Sequence, residues 1–295
     1  MTEEKAAHPS GRKFIYPASD EQFEDDGLPR KVFSNSQFER YRKCPRQYMY
    51  AYVQGLVKPP GIALIKGSSV HKGAEMVHLR TIETGEPMSM EEASQHVADT
   101  FDKESKKVED WTIDGKEVKP GFVKDRTLFN FQIYYQDAVP KIRPVAAEKS
   151  FAVKIGTVPM IGVIDLIDAV PGEHTVDDDP EAPPPDIEVV SDLKCTGRLW
   201  PEAKIRESAQ LTLYTMVERT DRARVDFLLD QKSGTHYKPK KTTRTLTDKR
   251  ILTEDVEQVV DLIKKGIFPR CEPTLTNWVC TPKWCGYYDI CRGPK

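Results

Sequence analysis

The twelve residues Asp186–Gly197, reading DIEVVSDLKCTG, constrain this chain more than any other stretch. Ile187, Val189 and Val190 are apolar and β-favouring, and Cys195-Thr196-Gly197 breaks the run, so the segment reads as a buried or half-buried strand. Alternate side chains of a strand share a face. Asp192 and Lys194 therefore point to one side and Leu193 to the other. A carboxylate at such a place can hold a hard cation, and a lysine beside it can orient or polarise water. The D-x-K spacing is common by itself, so its meaning depends on what the rest of the chain brings to it.

The chain has 295 residues, enough for one large α/β domain with insertions or two small ones. Its formal net charge of -2 gives no global positive field. A nucleic-acid partner would have to be met by local basic patches or by metal ions. No apolar run approaches the length of a spanning helix, so no membrane partner is expected. The opening MTEEKAAHPSGRK lacks the apolar core of a secretion signal. The expected location is cytoplasmic, or the host cytoplasm for a viral chain. In that compartment the six cysteines are expected to be thiols or metal ligands, not structural disulfides.

Residues 1–30 lack sustained periodicity and read as a flexible arm. Residues 31–295 read as a single domain in three parts. These are a mainly helical part (31–143), an α/β core (144–265) and a cysteine-rich tail (266–295). In the helical part, Ser34 with Gln37 forms a capping box. Phe38, Tyr41 and Cys44 follow at helical spacing, and Pro45 should bend or restart the helix. Gly67-Ser68-Ser69 reads as an entry into a helix carrying His71, Glu75 and His78 on one side. Those three are a conceivable metal set, with His71 the better candidate ligand and His78 a packed or surface histidine. Ser89 with Glu92 starts a helix reaching about Val108, Trp111–Gly121 is a loop or hairpin with an Asp-Gly turn, and Phe122–Val139 is a further helix.

After Pro144 the pattern turns to strands. AAEKSFAVKIG and VPMIGVIDLIDAV read as a hairpin or as adjacent strands. Asp165 interrupts an apolar run, and a charge buried there needs a partner such as a metal, an arginine or backbone amides. Asp168, three residues on, faces the other way on a regular strand. Glu148 lies on the preceding strand, either as an outer contact to the site or as a surface residue. The acidic stretch PGEHTVDDDPEAPPP reads as a solvated insertion. A helix over about Ala203–Arg219 then carries Gln210 and Tyr214 at i,i+4 on one face, and Arg224–Leu229 resembles a strand. Lys232–Arg244 holds five basic residues and no acid, the best local phosphate-facing patch. Thr253 is a candidate cap for a helix ending at Gly266.

Cys280, Cys285 and Cys291 supply three thiolates within the tail, and Cys44 could complete a set of four if the two ends meet. Four cysteines suit zinc or an iron–sulfur cluster, and the spacing does not choose between them. Cys271 is a spare that could replace one of the four, and Cys195 has no nearby base in sequence to activate it.

Together these motifs resemble the PD-(D/E)XK nuclease superfamily, in its RecB/AddB-like branch with a four-cysteine iron–sulfur cluster, whose relatives include the CRISPR-associated adaptation nuclease and phage or viral exonucleases. The resemblance runs over Val32–Arg292 and rests on His71 in GSSVH, Asp165 in GVID, Asp192 and Lys194 in DLK, and Gln210 to Tyr214 in QLTLY. It also rests on Cys44 to Tyr48 (CPRQY) and the three late cysteines. The chain departs from the usual pattern in having Asp192 where many relatives have Glu, and four residues instead of two in the first late cysteine gap.

The resemblance implies an α/β restriction-endonuclease-like core with a central mixed sheet. It implies a metal-dependent deoxyribonuclease, an exonuclease with some endonuclease activity open, acting in replication, recombination or repair. Mg²⁺ or Mn²⁺ would be held by His71, Asp165, Asp192 and the Leu193 carbonyl, with Lys194, Gln210 and Tyr214 as the other catalytic residues. A [4Fe-4S] cluster, or zinc failing that, would sit on Cys44, Cys280, Cys285 and Cys291. The substrate would be DNA, as single strands or duplex ends. No G-x-x-x-x-G-K-[ST] stretch is present, so any helicase or recombination protein would be a separate partner. Two rival readings are an inactive nuclease-fold protein kept as a DNA-binding or recombination partner, and a different metal enzyme centred on His71, Glu75 and His78.

Overall fold

The computed structural model describes residues 32–172, 186–272 and 279–293. The N-terminal arm and nearly all of the acidic insertion lie outside the described residues. Two compact units are formed. One comprises the described parts of Met1–Lys58, Ser150–Gly162 and Thr247–Lys295, and the other comprises Pro59–Lys149 with the described parts of Val163–Leu246.

Helix α1 (Asn35–Lys43) starts where Ser34 Oγ accepts the Gln37 amide at 3.4 Å. Cys44 leaves the helix in an extended conformation and Pro45, with no amide to donate, takes the first position of α2 (Pro45–Tyr48). A π-helical turn, Met49–Val53, follows. Phe38, Tyr41 and Tyr48 are all buried.

Helix α3 (Ile62–Thr84) is longer than the sequence suggested. It begins after Gly61, and Gly67-Ser68-Ser69 lies inside it. Both serine hydroxyls donate back to the Ile65 carbonyl, at 3.1 and 2.7 Å, so they are satisfied without ending the helix. Gly73 has no room for a side chain, since a Cβ would lie 2.5 Å from Val97 and 2.6 Å from Phe131. This lets α3 close on α4 (Met90–Ser105) and, beyond it in sequence, on the helix carrying Phe131. Strands β1 (Thr112–Ile113) and β2 (Lys116–Glu117) form a small hairpin. Its turn residues Asp114 and Gly115 both take positive φ, 50° and 78°, as a two-residue hairpin turn requires. Helix α5 (Pro120–Asp137) completes the helical layer, and Val70, Val77, Val97, Phe131 and Tyr134 pack in one core with Leu166, Leu193 and Leu228.

The sheet follows: β3 (Pro144–Ile155), β4 (Val158–Pro171), β5 (Asp186–Thr196), β6 (Arg222–Gln231) and β7 (Gly234–Thr243), hydrogen-bonded in that order. The β4/β5 and β6/β7 pairs are antiparallel and β5/β6 is parallel, which makes the sheet mixed. A parallel pair needs a crossover. It is made by α6 (Glu202–Arg206) and α7 (Ala209–Val217), not by the single helix expected over Ala203–Arg219. The break falls at Ser208, whose hydroxyl caps α7 by accepting the Leu211 amide.

The basic segment after Lys232 forms edge strand β7. Arg244, expected among the phosphate-facing charges, is instead 3% exposed. Its guanidinium donates to Thr212 Oγ1 and the Ile205 carbonyl, each at 2.8 Å, so it is engaged internally. Helix α8 (Leu246–Lys264) begins ahead of Thr253, whose hydroxyl bonds back to the Lys249 carbonyl from within the helix, and Gly266 at φ 69° follows its end. Helix α9 (Tyr288–Arg292) closes the described tail. No helix among the described residues is long and apolar enough to cross a membrane.

Candidate functional site

The β4/β5 ladder ends at the pair Leu166↔Ser191. One step further would bring Asp165 opposite Asp192. From there the backbone groups of the two strands are met by side chains. The Leu193 N–H donates to Asp165 Oδ2 at 3.0 Å, and the Val163 carbonyl accepts from the Tyr214 hydroxyl at 2.6 Å. Buried backbone groups must find partners. Here the Asp165 carboxylate and the Tyr214 hydroxyl are the partners these two groups find. The Leu193 carbonyl faces His71 Nε2 at 2.8 Å, and His71 Nδ1 lies 3.4 Å from Asp165 Oδ2. The Leu193 side chain is buried in the core, which pins the peptide that both neighbours read.

His71, Glu148 and Asp165 each offer a ligand atom, and these atoms lie within 4.8 Å of one another. Glu148 reaches the group from β3 through a backbone at φ 49°, a left-handed conformation rare for a non-glycine residue inside a strand. One imidazole and two carboxylates, with the Leu193 carbonyl beside them, form a donor set suited to Mg²⁺ or Mn²⁺, the nitrogen tilting it toward Mn²⁺. Sequence reasoning treated Glu148 as equally plausible at the surface. A strand-alternation argument misses it, because the positive φ breaks the alternation.

Asp192 is not part of that group of three. It is 2% exposed, and its Oδ1 accepts from Lys194 Nζ at 2.7 Å. Burial pushes its pKa up to about 6, the Lys194 ammonium pulls it down, and the Asp165 charge adds to the rise. Lys194 also donates to Gln210 Oε1 at 3.2 Å, and Gln210 Nε2 donates to Tyr214 Oη at 2.8 Å. Burial holds the Tyr214 phenol well above its usual range, so it stays a neutral donor. A chain therefore runs from α7 through Gln210 to Lys194 and Asp192.

His78 lines the same cavity as His71, Glu148 and Asp165 but does not join their close group of ligand atoms. It is 3% exposed and bonds to the Tyr134 hydroxyl at 2.7 Å, and burial lowers its pKa to about 4. Glu75 pairs with Lys72 at 3.1 Å. His71, Glu75 and His78 thus share a cavity, with Glu75 and His78 each engaged by a partner and outside the close group of ligand atoms. Burial pushes the Cys195 thiol up to about 12, leaving no nucleophile there. Asp168 is wholly buried; it accepts from the Arg143 amide at 2.8 Å and pairs with Arg224. Arg224 also grips Asp226, which accepts from Tyr237 and Ser191. This buried network lies under the site and was not visible in the sequence.

In the other unit, Cys44, Cys271, Cys280, Cys285 and Cys291 line one cavity. Gln47 donates to Cys285 Sγ at 3.2 Å, Arg292 to Cys280 Sγ at 3.8 Å, and the Cys271 thiol to the Lys43 carbonyl at 3.2 Å. Burial raises the Cys285 thiol. Among the described residues, no three cysteine sulfurs come within 4.8 Å of one another.

A family model for the PD-(D/E)XK nuclease superfamily matches residues 32–292. The chain belongs to this superfamily. The mixed sheet with flanking helices is the corresponding nuclease fold, and enzymes of this superfamily generally use Mg²⁺ or Mn²⁺, with which the acidic group is compatible. Among solved structures, this nuclease is similar to a candidate exonuclease from Eubacterium rectale, with a TM-score of 0.47, 11% identity, and 90% of this chain and 93% of that one covered. It is also similar to the protein SSO0001, with a TM-score of 0.33, 12% identity, and 87% and 95% covered. None of the curated proteins matches the chain in sequence.

Proposed function

We propose that this PD-(D/E)XK nuclease is a divalent-metal-dependent DNA exonuclease, acting on single strands or duplex ends in replication, recombination or repair. The observation that carries the reading is the convergence of His71, Glu148 and Asp165 beside the Leu193 peptide, one residue from Lys194. Those three side chains and the Leu193 carbonyl would hold Mg²⁺ or Mn²⁺, with Asp192 entering as a ligand once freed from Lys194. Bound there, the ion would supply an activated water and would stabilise charge on the phosphate.

Lys194 acts as a cation: the nearby Asp165 and Asp192 carboxylates and the substrate phosphate favour its charged form, and a protonated amine has no lone pair with which to act as a base. Its role is to orient the attacking water or to neutralise charge building on the phosphate oxygens. Gln210 fixes Lys194, and Tyr214 fixes Gln210 against the Val163 carbonyl. The test is end-labelled linear and circular DNA, single- and double-stranded, with Mg²⁺, Mn²⁺ or EDTA. Digestion of linear DNA is expected, with loss in EDTA and in D165A and K194A. Metal-independent cleavage, or none with either ion, would overturn the reading; binding without cleavage would favour an inactive nuclease-fold partner protein.

The cysteine cavity supports membership of the RecB/AddB-like branch. Cys44, Cys280, Cys285 and Cys291 would hold a [4Fe-4S] cluster joining the α1–α2 corner to the tail. The cysteine lining suits either zinc or the cluster. Anaerobic iron and sulfide analysis of the wild type and Cys44→Ala tests this; a zinc-only protein refutes the iron assignment.

A further inference from the structure

Helix α5 carries a feature that the active site does not use. Phe122 and Phe129 are exposed, at 65% and 41%, although α5 packs into a core through Val123, Phe131 and Tyr134. At about 100° per residue they lie within about 20° of one another around the helix, with Arg126 about 40° to one side and the exposed Asp125 about 60° to the other. The Arg126 guanidinium lies over the Phe129 ring, 5.6 Å from its centre. Arg126 is held by Asp230 at 2.6 Å and by the Gln231 carbonyl at 2.8 Å, and Lys66 of α3 pairs with the same carboxylate. Burial works against the Asp230 charge, but hydrogen bonds from Lys66, Asn130 and Arg126 outweigh it and hold its carboxyl below the usual range. On the Arg126 side of the two rings, two cations face one carboxylate, while Asp125 lies on the opposite side.

The position is close to the chemistry. Asp230 follows Leu229, which pairs with Thr196, two residues beyond Lys194. Asp230 lies three residues along β6 from Phe227, the partner of Lys194, a strand distance of about 10 Å. The Gln231 side chain further ties this edge to the Gly197 carbonyl. Exposed aromatic rings with a cation along one side suit bases that stack while their phosphates track the basic edge.

We propose that Phe122 and Phe129, with Arg126 between them, form a base-stacking platform that guides single-stranded DNA to the active site, its phosphates running along Arg126 and Lys66. This rests on the nuclease reading above and names how that site takes its substrate. Sequence-independent use follows, because every base has a face to stack and none of these groups reads a base edge.

The test uses the full-length protein in EDTA, so that no strand is cut, and two labelled probes of equal length, an oligothymidylate and a fully abasic strand. Wild-type protein should bind the oligothymidylate at least about ten-fold more tightly. The doubly substituted F122A/F129A variant should lose that preference, weakening oligothymidylate binding about 100-fold for two stacked bases while abasic binding changes less than about two-fold. F122W/F129W should retain it. R126A should weaken both probes together and lower the salt dependence by about one phosphate contact. Unchanged oligothymidylate binding by F122A/F129A overturns the platform. So does equal loss on both probes, or a shift from dimer to monomer in sedimentation, which would make the aromatic stripe a contact between copies. Wild-type cleavage measured in parallel separates the two readings. Stacking without cleavage removes the nuclease function and keeps the platform, and cleavage indifferent to both aromatics removes the platform alone.

Discussion

Tyr214→Phe removes one oxygen atom and tests whether the α7 chain positions Lys194. The hydroxyl is buried; it donates to the Val163 carbonyl at 2.6 Å and accepts from Gln210 Nε2 at 2.8 Å. Each such bond contributes about 1 kcal/mol net, and an orphaned buried acceptor adds to the loss, so the substitution should cost about 2 kcal/mol of stability. The ring remains, so packing is kept. Freed from Tyr214, Gln210 no longer fixes Lys194, and kcat should fall about ten-fold, equivalent to about 1.4 kcal/mol in the barrier, with KM little changed. Urea denaturation reads the first effect and single-turnover cleavage at saturating Mg²⁺ the second. A cycle with Gln210→Ala makes the test specific: once Gln210 is truncated, Tyr214→Phe should cost almost nothing further in rate while still costing stability through Val163. A full-rate Tyr214→Phe, or rate losses that simply add in the double variant, would refute the positioning chain.

Other outcomes follow from single contacts. Asp165→Asn keeps an oxygen for the Leu193 amide but loses the charge, so the fold should persist by circular dichroism while cleavage drops about a thousand-fold, several kcal/mol of lost metal-assisted stabilisation. At position 148 the backbone sits at φ 49°, so Glu148→Gly should be about 1 kcal/mol more stable than Glu148→Ala by thermal melting, and both should bind Mn²⁺ more weakly than wild type by calorimetry. His78 titrates near 4 when folded and about 6.5 when unfolded, so the unfolded chain binds more protons between those values. Its contribution is therefore fully present above about pH 6.5 and is lost as pH falls toward 4, up to about 3 kcal/mol, and denaturation midpoints of His78→Phe across that range should lack this part of the slope.

What the sequence showed and what it hid divide by the range of the interactions. The pairing of Asp192 with Lys194 and of Gln210 with Tyr214 was readable because i,i+2 on a strand and i,i+4 on a helix are fixed by the backbone itself. The Asp114-Gly115 turn was readable for the same reason, as was the interruption at Pro45. The entry of α3 was misread because Ser68 and Ser69 look like capping residues, and only an intact helix gives their hydroxyls the Ile65 carbonyl to bond. Arg244 looked like a phosphate contact because nothing local reveals that Thr212 and Ile205, more than thirty residues upstream, supply its acceptors. Glu148 was hidden by its own φ. The buried residues of β3 nearest it, Ala147, Phe151 and Ile155, recur every fourth residue instead of every second, so alternation gave no register from which to aim its side chain.

The end of the β4/β5 ladder explains why these particular residues meet. A β4/β5 ladder continued in register could have occupied only one of the Leu193 amide and the Val163 carbonyl, because successive antiparallel pairs alternate between bonded and unbonded; beyond its end both are met by side chains. Ending the ladder at Leu166↔Ser191 opens polar backbone groups in a buried place, where each must be satisfied or cost about 1–3 kcal/mol. Asp165 and Tyr214 satisfy them, and in doing so are oriented by the same bonds that keep the opening stable. The buried Arg224 of β6 pairs with Asp168 of β4 and Asp226 of β6, and the Leu193 side chain of β5 is packed in the core. Removing the site's carboxylate and removing a structural hydrogen bond are therefore the same perturbation at Asp165. That is why the informative variants here are those, like Asp165→Asn and Tyr214→Phe, that delete one role and keep the other.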